Sequence, residues 1–100
     1  MNSKLKILVL LGAAILISCA STLYMPTQTD ALSRNTSLEK LQQGRRLYMN
    51  TCASCHNLHM PQEFTKKDWE PLLNKMQKRA RIDDSQKELI AAYLETNCKK

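Results

Sequence analysis

The sequence predicts an all-α domain of about three main helices. Two apolar stripes recur at helical spacing, Trp69-Leu72-Leu73-Met76 and Leu89-Ile90-Tyr93-Leu94. Helix-capping residues stand at the head of the first and third candidate helices, and no segment shows the strict polar–apolar alternation of a half-buried strand.

The first helix opens at Thr36-Ser37-Leu38-Glu39. This pattern reads as a capping box in which Thr36 and Glu39 satisfy each other's backbone donors. Leu38, Leu41, Leu47 and Tyr48 follow, and the helix is expected to run to about Asn50. Gly44 inside it costs up to about 1 kcal/mol relative to alanine, so a close-packed neighbour is expected there. The second helix covers roughly residues 66–79. Pro71 is tolerable only near a first turn, which places the regular helix from about Asp68. The third begins after Asp83 or Asp84, either of which can cap it, buries Leu89, Ile90, Tyr93 and Leu94, and frays toward Asn97.

Three regions follow along the chain: residues 1–18, 19–37 and 38–100. The first carries Lys4 and Lys6 with no acid, then an apolar run over residues 7–17, as in a secretory signal. Those 11 residues are too few for an ordinary spanning helix, which needs about 20. Leu16-Ile17-Ser18-Cys19 resembles a bacterial lipobox, which implies cleavage before Cys19 and a lipid on its sulfur. The alternatives are cleavage at a small-residue site around Ser18-Cys19-Ala20 or an uncleaved anchor. Residues 20–37 are rich in Ser, Thr and other polar side chains and read as a flexible tether, spanning roughly 23 Å on average as a random coil. The last region is a single small domain. At that size only about 60% of the unfolded surface is buried, so a staple is needed.

The chain carries a formal charge of +6, and removing residues 1–18 takes away two lysines and leaves +4. No basic stripe with interleaved aromatics accompanies that charge, so nucleic acid is not an expected partner. A solvated basic surface that meets acidic protein faces is the expectation. Lys66, Lys67, Lys75, Lys78, Arg79 and Arg81 gather around the second helix and supply most of it.

The chemistry lies in Cys52-Ala53-Ser54-Cys55-His56. A Cys-x-x-Cys-His run is the attachment signature of c-type haem. Two thiols about one helical turn apart each add to a haem vinyl group, and the adjacent histidine binds the iron. Cys52 and Cys55 are thus the covalent attachment points of one haem c, and His56 is the proximal iron ligand. A thioredoxin-like dithiol belongs on a βαβ pattern, which is absent, and His59 with Cys98 does not complete a zinc set. One motif supplies one haem, and that haem is the staple the small domain needs.

The sixth ligand must come from the opposite haem face. Met49 and Met60 flank the motif too closely, and Met25 lies in the tether. Met76, at the end of the Trp69 stripe, is assigned as the ligand; the alternative is a gap-filling core methionine. His59 is the runner-up ligand. A His/Met pair raises the iron potential and leaves no open position for substrate. Cys98 is the odd thiol left over.

Together these residues resemble the small class I c-type cytochromes with one haem, over about residues 38–96. In that family a glycine followed four residues later by an aromatic lies on the N-terminal helix; here these are Gly44 and Tyr48. The C-terminal helix crosses at the glycine with an apolar residue and an aromatic three apart, matched by Ile90 and Tyr93. Only about 30 residues separate His56 from the last helix, so this chain resembles a compact variant with a Trp-x6-Met segment. The resemblance also implies a carbonyl near Met60-Pro61 that accepts the His56 Nδ1 proton; the other reading of Pro61 is a turn residue. Trp69 either donates its indole N–H to a haem propionate or only packs.

The expected function is a membrane-tethered, periplasm-facing carrier of single electrons between redox proteins, not an enzyme, with no small-molecule substrate. The alternatives are a haem-based ligand sensor or small haem enzyme with an open axial position, and a haem subunit of a larger oxidoreductase.

Overall fold

The computed structural model describes residues 23–52 and 58–100. Within them the chain forms α1 (Gln28–Ser33), α2 (Leu38–Cys52), a 3-10 turn at Pro61–Glu63, α3 (Lys66–Ala80) and α4 (Asp84–Glu95). The only β-type pairing among the described residues is an isolated bridge between Thr65 and Lys99. The all-α class predicted from the sequence is the class observed.

Helix ends follow local hydrogen-bond chemistry, with two departures from the sequence reading. Asp83 caps α4 reciprocally with Gln86: Gln86 N–H donates to Asp83 Oδ1 at 2.7 Å and Asp83 N–H to Gln86 Oε1 at 3.0 Å. At α2 the cap lies one residue beyond Thr36. Lys40 N–H donates to Ser37 Oγ at 3.1 Å, while the Thr36 N–H is committed to closing α1 by donating to the Ala31 carbonyl at 3.0 Å. Asn35, in the left-handed region at φ 53°, makes that reversal; asparagine is among the few side chains that enter it readily. At α3 the helix starts at Lys66, ahead of the expected Asp68, because Thr65 caps it by accepting from Asp68 N–H at 3.1 Å. Pro71 sits inside it, leaving the Lys67 carbonyl without a helical N–H. Both residues are exposed, so that carbonyl is open to solvent rather than shut in the core.

Helices α2 and α4 cross at Gly44. A Cβ on Gly44 would stand 2.1 Å from the Leu89 carbonyl oxygen, 2.8 Å from its carbon and 3.0 Å from Tyr93 Cβ. The two backbones touch, and only the absence of a side chain permits it. Around the crossing Leu41, Tyr48, Ile90, Tyr93 and Leu94 are fully buried. Helix α3 adds Trp69 and Leu73 from one side. Tyr48 stands edge-on to Trp69 with ring centroids 6.1 Å apart, and Phe64 extends the row at 5.1 Å from Trp69. Each buried polar tip has a partner: Tyr48 Oη donates to the His59 carbonyl at 2.6 Å, Tyr93 Oη to the Tyr24 carbonyl at 2.6 Å, and Trp69 Nε1 to the Pro61 carbonyl at 2.9 Å.

The stretch read as a flexible tether differs most from its expectation. Residues 23–37 are folded onto the helices. Leu23, Pro26 and Ala31 are buried. Thr27 and Asp30 form a capping box that starts α1, and Tyr24 Oη donates to Asp30 Oδ2 at 2.7 Å. Arg45 of α2 reaches back to the Tyr24 carbonyl at 3.2 Å and the Leu23 carbonyl at 3.3 Å. Arg34 pairs with Glu95 at the end of α4, where a positive charge complements the helix dipole. The polar composition was a poor guide because a few backbone carbonyls and one arginine on each side hold the segment. Residues 19–22, and the expected signal at 1–18, lie outside the described residues.

Two outcomes are expected. Gly44→Ala forces a methyl into the Leu89 backbone and should destabilise the haem-loaded protein by about 3 kcal/mol or more, or abolish folding, in urea denaturation. Burial pushes the Tyr93 hydroxyl up to about 12, against the opposing Arg45, and pushes Tyr48 well above the usual 10. Both are protonated in the folded chain and ionise first in the unfolded one. Their contribution is therefore complete below pH 10 and is lost as pH rises from 10 through 12. Tyr93→Phe should cost about 1 kcal/mol at pH 7 and make the alkaline fall in the urea midpoint shallower.

Candidate haem site

The attachment motif begins where α2 ends. Cys52 is the last residue of that helix, half-buried and packed against the core, with Thr51 Oγ1 3.6 Å from its sulfur. Cys55 and His56 lie outside the described residues, as does Cys19. The segment that carries them is nevertheless bounded on both sides. Upstream it is held by α2. Downstream, three residues past His56, the His59 carbonyl is bound by Tyr48, which itself stands one helical turn before Cys52. One buried side chain on α2 therefore fixes both the approach to the motif and its exit.

Beyond the exit the chain is fastened again. Glu63 accepts from the Met60 N–H and contacts His59 Nδ1 at 3.2 Å. These hydrogen bonds, the backbone one first, hold the Glu63 carboxyl below its ordinary value. The His59 ring is exposed and packs edge-on to Phe64 at 5.2 Å. With one nitrogen on Glu63 and the ring on Phe64, His59 belongs to the surface of this turn, which weakens the runner-up ligand reading.

Trp69 is corrected by its surroundings. It is fully buried and its indole N–H is taken by the Pro61 carbonyl, so it packs and ties α3 to the 3-10 turn rather than meeting a propionate. Pro61 is likewise buried and opens that turn. Met76 lies on the Trp69 stripe two turns farther along α3, half-buried against the core. Met49 and Met25 are exposed at 39% and 55%, whereas Met60 is half-buried beside the motif exit.

The residues present fit a large apolar group. Leu47 and Cys52 of α2, Leu58 and Met60 after the motif, and Leu72, Met76 and Ala80 of α3 all touch the core while remaining only partly covered. Leu47, Cys52, Leu58 and Met60 stand within a few residues of positions 53–57 in the sequence, and Leu72, Met76 and Ala80 join them on the same core. They hold two kinds of soft donor, thiol and thioether, together with apolar surface, the chemistry that suits a porphyrin and its iron. By contrast, the groove between α3 and α4, about 310 Å³ and lined by Lys66, Glu70, Asn74, Lys87, Glu88 and Glu95 among others, contains none of the motif residues. Among the described residues no group of three or more His, Cys, Asp or Glu side chains offers a separate metal site.

The comparison with known families covers this part of the chain. The profile of the dihaem cytochrome c family matches residues 48–100, from Tyr48 through the attachment motif, α3 and α4 to the last residue. No curated protein and no solved structure matches the chain. The family is described by two haems, whereas this sequence contains one Cys-x-x-Cys-His run. With the motif, the helical frame and the family profile all falling on the same half of the sequence, the chain belongs to the dihaem cytochrome c family and is a c-type cytochrome, built for haem-based electron transfer.

Proposed function

We propose that this chain is a single-haem electron carrier of the cell envelope, held to a membrane through a lipid on Cys19. Cys52 and Cys55 hold the haem covalently, and His56 and Met76 bind its iron from opposite faces. The observation that carries this reading is a single attachment motif that opens at Cys52, itself packed on the core that half-covers the Met76 thioether of α3. When bound, the haem supplies a one-electron iron couple.

The protein's own residues do the rest. The α2 helix leads into the motif at Cys52, and Tyr48 on that helix holds the His59 carbonyl just past it. Leu72 and Met76 on α3 exclude water from one side, and Leu47, Leu58 and Met60 supply apolar cover from elements next to the motif. With His56 and Met76 both binding the iron, the bound haem would offer no open position to a substrate. The exposed basic residues of α3, Lys66, Lys67, Lys75, Lys78 and Arg79, together with Arg81 just beyond it, give partners with acidic faces a surface to meet.

The family's dihaem description favours a second reading, in which this haem is one of a pair whose other member lies on a different polypeptide. Co-purification with a second haem protein at high salt supports that pairing; a chain that elutes alone with one haem supports the carrier.

Met76→Ala tests the ligand. The wild-type reduced protein is expected to be low-spin and inert to carbon monoxide. The variant should lose the methionine–iron charge-transfer band, bind carbon monoxide rapidly and show a lower midpoint potential in a redox titration. An unchanged spectrum would reject Met76 as the ligand.

A further inference from the structure

The folded state of residues 23–37 changes what a lipid on Cys19 would do. A flexible tether of 18 residues would let the domain swing well clear of a bilayer. In this structure the chain is already docked at Leu23, whose side chain is buried and whose carbonyl is held by Arg45. Tyr24 is held by both Arg45 and Tyr93, and Arg34 is paired with Glu95. Only residues 20–22 remain between Cys19 and this strap. Fully extended, the step from Cys19 to Leu23 spans no more than about 14 Å.

The same strap carries two of the three exposed large hydrophobic side chains among the described residues. Leu32 is 74% exposed and Met25 is 55% exposed, although both lie in a segment whose other apolar residues are buried. Singly such exposures are ordinary. Here both stand within 13 residues of a proposed lipid and on a short leash.

We infer that the strap side of the domain lies against the bilayer, with Met25 and Leu32 meeting the lipid interface. This inference rests on the lipid-anchor reading of Cys19. One physical consequence follows for electron transfer. The strap crosses α2 at Arg45, and the attachment motif begins seven residues later at Cys52, about 10 Å of helix rise away. A domain seated in this way would bring its haem to partners in or on that membrane, not to partners far out in the aqueous space.

The test uses the full, haem-loaded and exported chain in vesicles of phosphatidylethanolamine and phosphatidylglycerol. A spin label is placed through Leu32→Cys and, separately, through Glu88→Cys on α4, each with Cys98→Ser so that one thiol is labelled. Power saturation compares access of oxygen, which partitions into lipid, with access of a water-soluble nickel chelate. The label at position 32 should be several-fold more accessible to oxygen than to nickel, and the label at 88 the reverse. Inserting twelve Gly/Ser residues after Ser21 should return the label at 32 to water. A label at 32 that is nickel-accessible in the uninserted chain overturns the inference, as does one shielded from both reagents, which would mark a second protein copy on this face. Mass measurement of the N-terminal peptide separates the two failures. An unacylated Cys19 sinks the anchor reading and the inference with it; an acylated Cys19 with a water-exposed label sinks the inference alone.

Discussion

The contact between Gly44 and the Leu89 carbonyl is the constraint on which the rest of this small domain depends. It brings α2 and α4 to backbone contact, and so fixes where Tyr48, Ile90, Tyr93 and Leu94 meet. With few residues from which to build a core, the chain uses its largest side chains at this one place and gives every buried polar tip a backbone acceptor. Tyrosine and tryptophan suit the task because each buries a wide ring and still offers a donor at its edge.

Those donors also connect the core to the haem site. Tyr48 is buried by the helix crossing, packs on Trp69 and holds the His59 carbonyl. Trp69 in turn holds the Pro61 carbonyl. The backbone that leaves the attachment motif is thus bound at two points by residues whose positions the α2–α4 crossing sets. A site whose task is to gain and lose an electron gains from flanking backbone that is tied to a close-packed core. The partly covered side chains at the edge of this core have the opposite character. Leu72 and Met76 are apolar but not fully enclosed, which is how a surface looks when part of its core is a prosthetic group.

The N-terminal strap is the second place where long-range contacts decide the outcome. Its contacts are few: Leu23 and Ala31 in apolar pockets, Arg45 and Tyr93 on backbone carbonyls, Arg34 on Glu95. They join three segments far apart in sequence, and no local periodicity announces them. The Thr27-x-x-Asp30 capping box was the one local signal that a helix begins there, and it stands in a stretch whose composition otherwise reads as linker.

By itself the sequence determined the all-α class, a cap at Asp83 or Asp84, the apolar stripes of α3 and α4, and the reason for Gly44, because these are set by spacing and by chemistry within a few residues. The expectation of haem chemistry at Cys52, Cys55 and His56 is likewise a reading of sequence alone, since attachment needs those side chains at that spacing. Tertiary structure decided what neighbours do to each residue. It turned Trp69 from a candidate propionate donor into the partner of Pro61, moved the α2 cap to Ser37 once Thr36 was committed to α1, and folded residues 23–37 against the helices. In each case the deciding partner lies outside the residue's own turn of helix, and a hydrogen bond or a buried side chain supplied from elsewhere in the chain outweighed the local preference.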